Sequence, residues 1–162
     1  MPTEQGDIRL LNDPVAQRLL NAPILARLAY NWHDRTPRVV PIWFHWTGNE
    51  VVMGGPPDAP KVEALRTQPA VAITIDDIEW PYKVLLLRGL AEVELINGVL
   101  PEYIESARKY FGKEQGDAWV SQVGQMVSQM ARISVRPSWA AILDFENRFP
   151  SALARRMGAP SD

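Results

Sequence analysis

From Ala91 to Leu95 the chain alternates strictly, with Ala91, Val93 and Leu95 on one parity and Glu92 and Glu94 on the other. A β-strand turns that pattern into one buried and one wetted surface, because its successive side chains point to opposite faces. The run ends a longer strand, Tyr82 to Leu95, closed by Asn97-Gly98. Its partners are read from the same kind of signal: Ile24–Tyr30, Pro37–Trp46, Glu50–Gly54, Pro69–Asp76, Ile133–Arg136 and Trp139–Phe145, each bounded by turn residues. The first three of these form a β-meander, and Pro137 breaks the last two apart.

Helices are fewer. Asn12-Asp13-Pro14 offers a capping side chain and then a proline where a missing N–H costs nothing, so a short helix carrying Ala16, Leu19 and Leu20 on one face starts there. A second short helix opens at Lys61 and runs to about Thr67. Leu100, Tyr103, Ile104, Ala107 and Phe111 follow helical spacing, as do Trp119, Val123, Met126, Val127 and Met130, with Gly112 between the two sets. They predict a helical insert over about 99–130. The tail from Asn147 reads as irregular. The expected architecture is mainly β: a six- to seven-stranded antiparallel barrel of Greek-key type with peripheral helices, one domain over 1–162.

Composition narrows the chemistry. The 162 residues are 46% apolar and 22% charged, an ordinary globular balance. A net charge of −2 supplies no field for nucleic acid or an anionic membrane. No apolar run approaches the roughly 20 residues a spanning helix needs. The polar start, Met1 to Asp7, is no signal peptide, and the expected location is cytoplasmic. With no cysteine, disulfides, thiolate nucleophiles and thiolate metal sites are excluded. His33 and His45 are the only histidines, and neither has an acidic residue at a helical metal-ligand spacing. Neither a Gly-x-Ser-x-Gly elbow nor a Gly-rich nucleotide loop is present. If such a chain catalyses anything, a bound cofactor carries the difficult step.

Two segments suit such a cofactor. In Pro37-Arg38-Val39-Val40-Pro41-Ile42-Trp43-Phe44-His45-Trp46, Pro41 cannot donate to a ladder and belongs on an edge or at an interruption. Free backbone groups beside aromatic rings suit a planar heterocycle; the alternative is an edge protected against aggregation, with Trp43 and Phe44 as core. In Met53-Gly54-Gly55-Pro56-Pro57-Asp58-Ala59-Pro60-Lys61, two glycines permit close approach to the backbone, and a lysine opens a helix against the macrodipole. A bound phosphate would reconcile that lysine with its place; an exposed, tolerated lysine is the alternative. Arg88, in the apolar run Val84–Ala91, either meets an anion or pairs with Glu92. Trp80 beside Pro81 and His45 beside Trp43 are candidates to wall a substrate opening.

Taken in order, the helix and first strand, Pro37–Phe44, Lys61–Arg66 before Pro69–Ile73, Arg88–Glu92 and Ile133–Pro137 resemble the pyridoxamine 5′-phosphate oxidase-like superfamily of split-barrel flavoproteins. That resemblance implies a homodimer with cofactor at the subunit interface and a small-molecule substrate. It implies that Arg38, Val39, Val40, Pro41 and Ile42 run beside the ring and ribityl chain, that Met53 and Gly54 lie near the ribityl phosphate, and that Ala59, Pro60 and Lys61 form the phosphate turn. Trp43, His45, Trp80 and Arg88 are the substrate-pocket candidates. FMN is the cofactor it implies first; Trp43-Phe44 after Pro41 also resembles the branch that uses the deazaflavin F420. The implied activity is a flavin-dependent oxidoreductase acting on a small conjugated substrate. Pyridoxamine phosphate itself is excluded by the lack of the basic C-terminal motif. An F420-dependent reductase, or a non-catalytic flavin-binding or interaction protein, is the alternative.

Overall fold

The two longest strands, β6 (Lys83–Asn97) and β7 (Gln129–Asp144), pair along their whole lengths and form the spine of the molecule. The computed structural model describes residues 3–158; residues 1, 2 and 159–162 lie outside it, with the two ends of the expected domain. Around the spine stand β1 (Ala26–Asn31), β2 (Pro37–Ile42), β3 (His45–Trp46), β4 (Val51–Gly55) and β5 (Ala70–Asp76). All pairs are antiparallel, in the order β2-β1-β5-β6-β7-β4-β3. The expected mainly β, seven-stranded architecture with peripheral helices is therefore present.

The meander expected at the start is not. Pro37–Trp46 is not one strand: β2 is one edge of the sheet, β3 belongs to the other edge, and only Trp43 and Phe44 link them. Three residue steps span at most about 11 Å, so the sheet must curl until its edges nearly meet. Among the described residues no ladder joins β2 to β3 or β4, which leaves the barrel split there. Phe44 turns inward and is fully buried, with Leu28, Met53, Ile73, Leu85, Leu87, Ile133 and Val135 in the same core.

Pro137 does not end a strand either. Arg88 pairs with Trp139 and Gly89 with Pro137, so Ser138 is an extra residue and the strand continues through a bulge. A bulge accommodates the missing proline N–H. It also brings backbone close: a Cβ on Gly89 would lie 2.7 Å from the Arg136 carbonyl oxygen. Beyond Val135, where β4 stops pairing, the N-terminal segment covers β7. Gly6 N–H donates to Ala140 O at 2.8 Å, and the Gln5 amide bonds both backbone groups of Ile142.

Helix α1 (Pro14–Asn21) begins as the sequence predicts, with Asp13 accepting from Val15 N–H at 2.8 Å, and it seats Ala16, Leu19 and Leu20 on the core. Helix α2 (Pro60–Thr67) connects β4 to β5. The insert is two helices, α3 (Pro101–Phe111) and α4 (Lys113–Met126), which cross closely at Gly116, where a Cβ would meet the Ala107 backbone at 2.8 Å. It is shorter than expected. Val127 caps α4, Met126 is exposed, and Met130 already belongs to β7. The tail is not wholly irregular, since Ser151–Arg156 forms helix α5.

Candidate functional site

The split between β2 and β4 is where the aromatic segment and the glycine segment meet. Pro41 sits on the edge strand opposite Arg27, as its missing donor requires. A hollow of about 360 Å³ opens beside it, bounded by Pro41, Ile42 and Trp43, by Gly54 on β4, and by Tyr103, Phe111 and Trp119 from the helical insert. Gly54 keeps this floor low: a Cβ there would lie 2.9 Å from Leu100 Cδ1 and 3.2 Å from Tyr103 Cδ2.

The rings around the hollow hold one another. Trp43 stacks on Tyr110 at 5.1 Å and 18° and meets Phe111 edge-on at 5.0 Å. Trp119 Nε1 donates to the Tyr103 hydroxyl at 2.9 Å, and the Tyr110 hydroxyl donates to Ile24 O at 2.8 Å. Arg132 fixes α3 over β4 and β7, bonding Glu102 at 2.9 Å with Glu50 at 3.6 Å. The walls are thus flat, apolar and anchored, the character of a site for a planar ligand.

At the neighbouring position, Gly55, stands Lys61. Its Nζ lies 3.8 Å from where a Gly55 Cβ would be. Lys61 is half-buried, and burial alone pushes its ammonium below the ordinary lysine value. Among the described residues no carboxylate offsets that cost. Helix α2 begins at Pro60 with Ala59 as N-cap and without a side-chain cap; Pro60 has no N–H and Val62 N–H donates to Ala59 O at 2.9 Å, which leaves the Lys61 N–H as the amide open to an anion in that turn. A half-buried cation, with its own N–H beside two glycines, therefore stands one residue from the aromatic hollow.

The remaining sequence candidates divide. Val40 and Ile42 are partly buried against the core, while Val39 is 64% exposed on the outer face. Arg38 lies over Trp32, its guanidinium carbon 4.0 Å from the ring centroid. Met53 is packed into the barrel core and does not line the hollow. Pro60 is exposed at the start of α2. His45 does not share a continuous strand with Trp43; it sits on β3 beside Lys109, and burial, then the Lys109 charge, hold its imidazole below the usual value. Arg88 neither pairs with Glu92 nor reaches the hollow, for its guanidinium covers Trp139 at 3.9 Å. Trp80 lines a different, larger hollow, and Leu25 borders both. Sequence reasoning missed Tyr103, Phe111, Trp119 and Leu25. The aromatic spacing on the insert was the available signal, and it reads equally as packing.

No family model matches the sequence, and no curated protein matches it. Solved structures do. An F420 reductase is 26% identical, with 77% of this chain and 94% of that one covered and a TM-score of 0.61. A protein related to general stress protein 26, of the pyridoxinephosphate oxidase family, from Clostridium acetobutylicum is 13% identical over 85% and 90% of the chains, TM-score 0.59. The fold is that of the pyridoxamine 5′-phosphate oxidase-like superfamily. An FAD-binding protein from Mesorhizobium loti is 18% identical over 78% and 87% of the chains, TM-score 0.52. In this superfamily fold the split described above lies between β2 and β4, with Pro41 on one side and Gly54 on the other.

Proposed function

We propose that the chain binds a flavin-type cofactor in the split and works as an oxidoreductase on a small conjugated substrate. The observation that carries this is Lys61: a half-buried ammonium that no carboxylate among the described residues offsets, in the first turn of α2, one residue from a hollow walled by aromatic rings. The residues fit the group. Lys61 holds the phosphate through its ammonium and its own N–H, with Ala59 and Pro60 shaping the turn. The strand from Arg38 to Ile42 presents its unpaired edge to the ring system, and Gly54 leaves it room. The bound cofactor supplies the electron pair as hydride. This chain's own residues hold the ring, exclude water with Trp43, Tyr103 and Trp119, and stabilise the phosphate charge.

FMN is the first candidate. F420 is the second reading, favoured by the likeness to an F420 reductase and by Trp43 flanking the hollow. The absorption spectrum of purified protein, with mass identification of any released ligand, separates them. A yellow protein releasing FMN supports the first reading, and a deazaflavin moves it to the second. Colourless protein that takes up neither overturns both. Turnover with reduced nicotinamide or reduced F420 and an acceptor separates an enzyme from a non-catalytic binder.

The reading includes a homodimer. Val39, Ala29, Ala72, Arg88 and Trp139 are successive ladder partners across five strands, and so form one row on the outer face. Val39 and Leu90 are each 64% exposed there, and the alanines between them let a second sheet approach closely.

A further inference from the structure

The larger hollow, about 680 Å³, lies at the ends of β1 and β5 and shares Leu25 with the smaller one. One wall is apolar: Ile24, Leu25, Ile78 and Trp80, with Ile78 83% and Trp80 67% exposed. Trp80 is held edge-on by Tyr82 at 5.4 Å and flanked by Phe145 at 5.8 Å. Its indole is therefore positioned and yet largely open to solvent.

The other wall is charged, and its charges are unequal. Arg18 bonds Asp77 through both terminal nitrogens, at 2.6 and 3.3 Å. Arg27 bonds Asp76 at 2.6 Å, and Lys83 is shared between Asp144 at 2.5 Å and Glu146 at 2.7 Å. Each of the three cations is thus engaged, whereas Glu79 has no ion-pair partner among the described residues. An entering anion meets committed donors and surplus carboxylates. An entering cation meets Glu79, the spare lone pairs of the other carboxylates and the face of an indole.

We infer that this hollow binds planar organic cations, an aromatic or conjugated ring carrying an amine, with the ring against Trp80 and the charge toward Glu79. Binding stands independently of any cofactor. Only the further assignment of this ligand as the substrate, delivered past Leu25 to the split, rests on the proposed function.

Calorimetry with three probes of one ring system tests the inference: 2-naphthylmethylammonium, 2-naphthylmethanol and 2-naphthoate. The ammonium is expected to bind about fivefold more tightly than the alcohol, one unscreened charge contact at a wet surface, and the carboxylate more weakly than either. Raising salt from about 50 to about 500 mM should erase most of that preference. Trp80→Ala should weaken the ammonium and the alcohol alike, by about two- to tenfold, roughly the worth of one ring-on-ring contact, and Glu79→Gln should bring the ammonium level with the alcohol. Both positions are exposed, and circular dichroism checks that the variants fold. Binding of naphthoate as tight as the ammonium, binding of none of the probes, or an affinity unchanged in Trp80→Ala overturns the inference. Colourless protein that still prefers the ammonium would sink the cofactor reading and leave this one standing.

Discussion

Lys109 Nζ donates to the carbonyl oxygen of Phe44 at 2.9 Å, and it lies 3.9 Å from the centroid of the Phe44 ring. The bond ties α3 to the two-residue link that carries the chain from one edge of the split sheet to the other. Neither atom it touches is a carboxylate. Burial therefore pushes the Lys109 ammonium down to about 8.

That shift has a sign in stability. A lysine whose folded pKa lies below its unfolded one binds protons better when unfolded, so stability rises with pH across the interval. The interval runs from about 8 to the ordinary 10.5. Tyr110, pushed up to about 12 by burial, acts oppositely above 10.0: the unfolded chain loses its proton first and stability falls. Urea midpoints should therefore climb above pH 8, peak near pH 10 and decline beyond. The gain from Lys109 is expected to be about 1 kcal/mol after allowing for its partial exposure. Lys109→Met should reduce the rising limb to what Lys61, also depressed by burial, contributes, and leave the falling one; a rising limb undiminished in that variant would assign it to another group.

Lys61→Ala should weaken cofactor binding by about tenfold or more, the worth of one charge-assisted phosphate contact. In the absence of cofactor the same variant should unfold at the same or a higher temperature, because a half-buried, unpaired ammonium is removed. Inorganic phosphate should raise the melting temperature of the wild type and not of the variant. Equal phosphate shifts in both proteins would take the anion role away from Lys61.

How much of this could be read from the chain follows from which forces are local. Alternation at Ala91–Leu95 and the donor missing from Pro41 are properties of single residues, and the strand and the edge both stand where they point. The break at Trp43-Phe44 is not local. An apolar run continuous in sequence is divided because the sheet closes around it, and closure depends on strands up to a hundred residues away. Pro137 shows the same: proline reads as a stop, yet Ser138 absorbs it in a bulge that a glycine at 89 makes possible. A lysine against the macrodipole needs a reason, and that local oddity singles out Lys61, which stands half-buried beside Gly55. The aromatic wall was not legible, since Tyr103 and Trp119 have the spacing of packed helical residues whether they face a sheet or a hollow.

The two tight glycines of the sheet should separate structure from site. At Gly89 a Cβ would lie 2.7 Å from a backbone oxygen and 2.9 Å from Val135 Cγ1. Backbone yields little, so Gly89→Ala should cost about 2–3 kcal/mol in a denaturant titration. At Gly54 the obstacles are the tips of Leu100, Met130 and Tyr103. These can swing aside, so Gly54→Ala should cost only about 1 kcal/mol. It should nevertheless reduce cofactor uptake, because the displaced side chains fill the hollow. Equal destabilisation at the two positions would show that the insert is as rigid as the bulge.

The outer face supplies the last test. An ordinary stable interface buries about 800 Å² on each partner, and the row from Val39 through Ala29 and Ala72 to Arg88 offers a largely uncharged start for one. A carboxylate placed on this face, at Val39 on the row or at Leu90 two residues beyond Arg88, would be desolvated in the interface without a partner, which costs several kcal/mol per ion and is counted twice in a symmetric pair. Leu90→Asp and Val39→Asp should each convert a dimer to a monomer by light scattering. Ile78→Asp is the control, equally apolar and more exposed at 83%, but on the loop beyond β5 rather than on this row. If the split is completed by the second copy, the monomeric variants should also lose cofactor while keeping their circular dichroism. A dimer that survives both substitutions would remove this face from the interface.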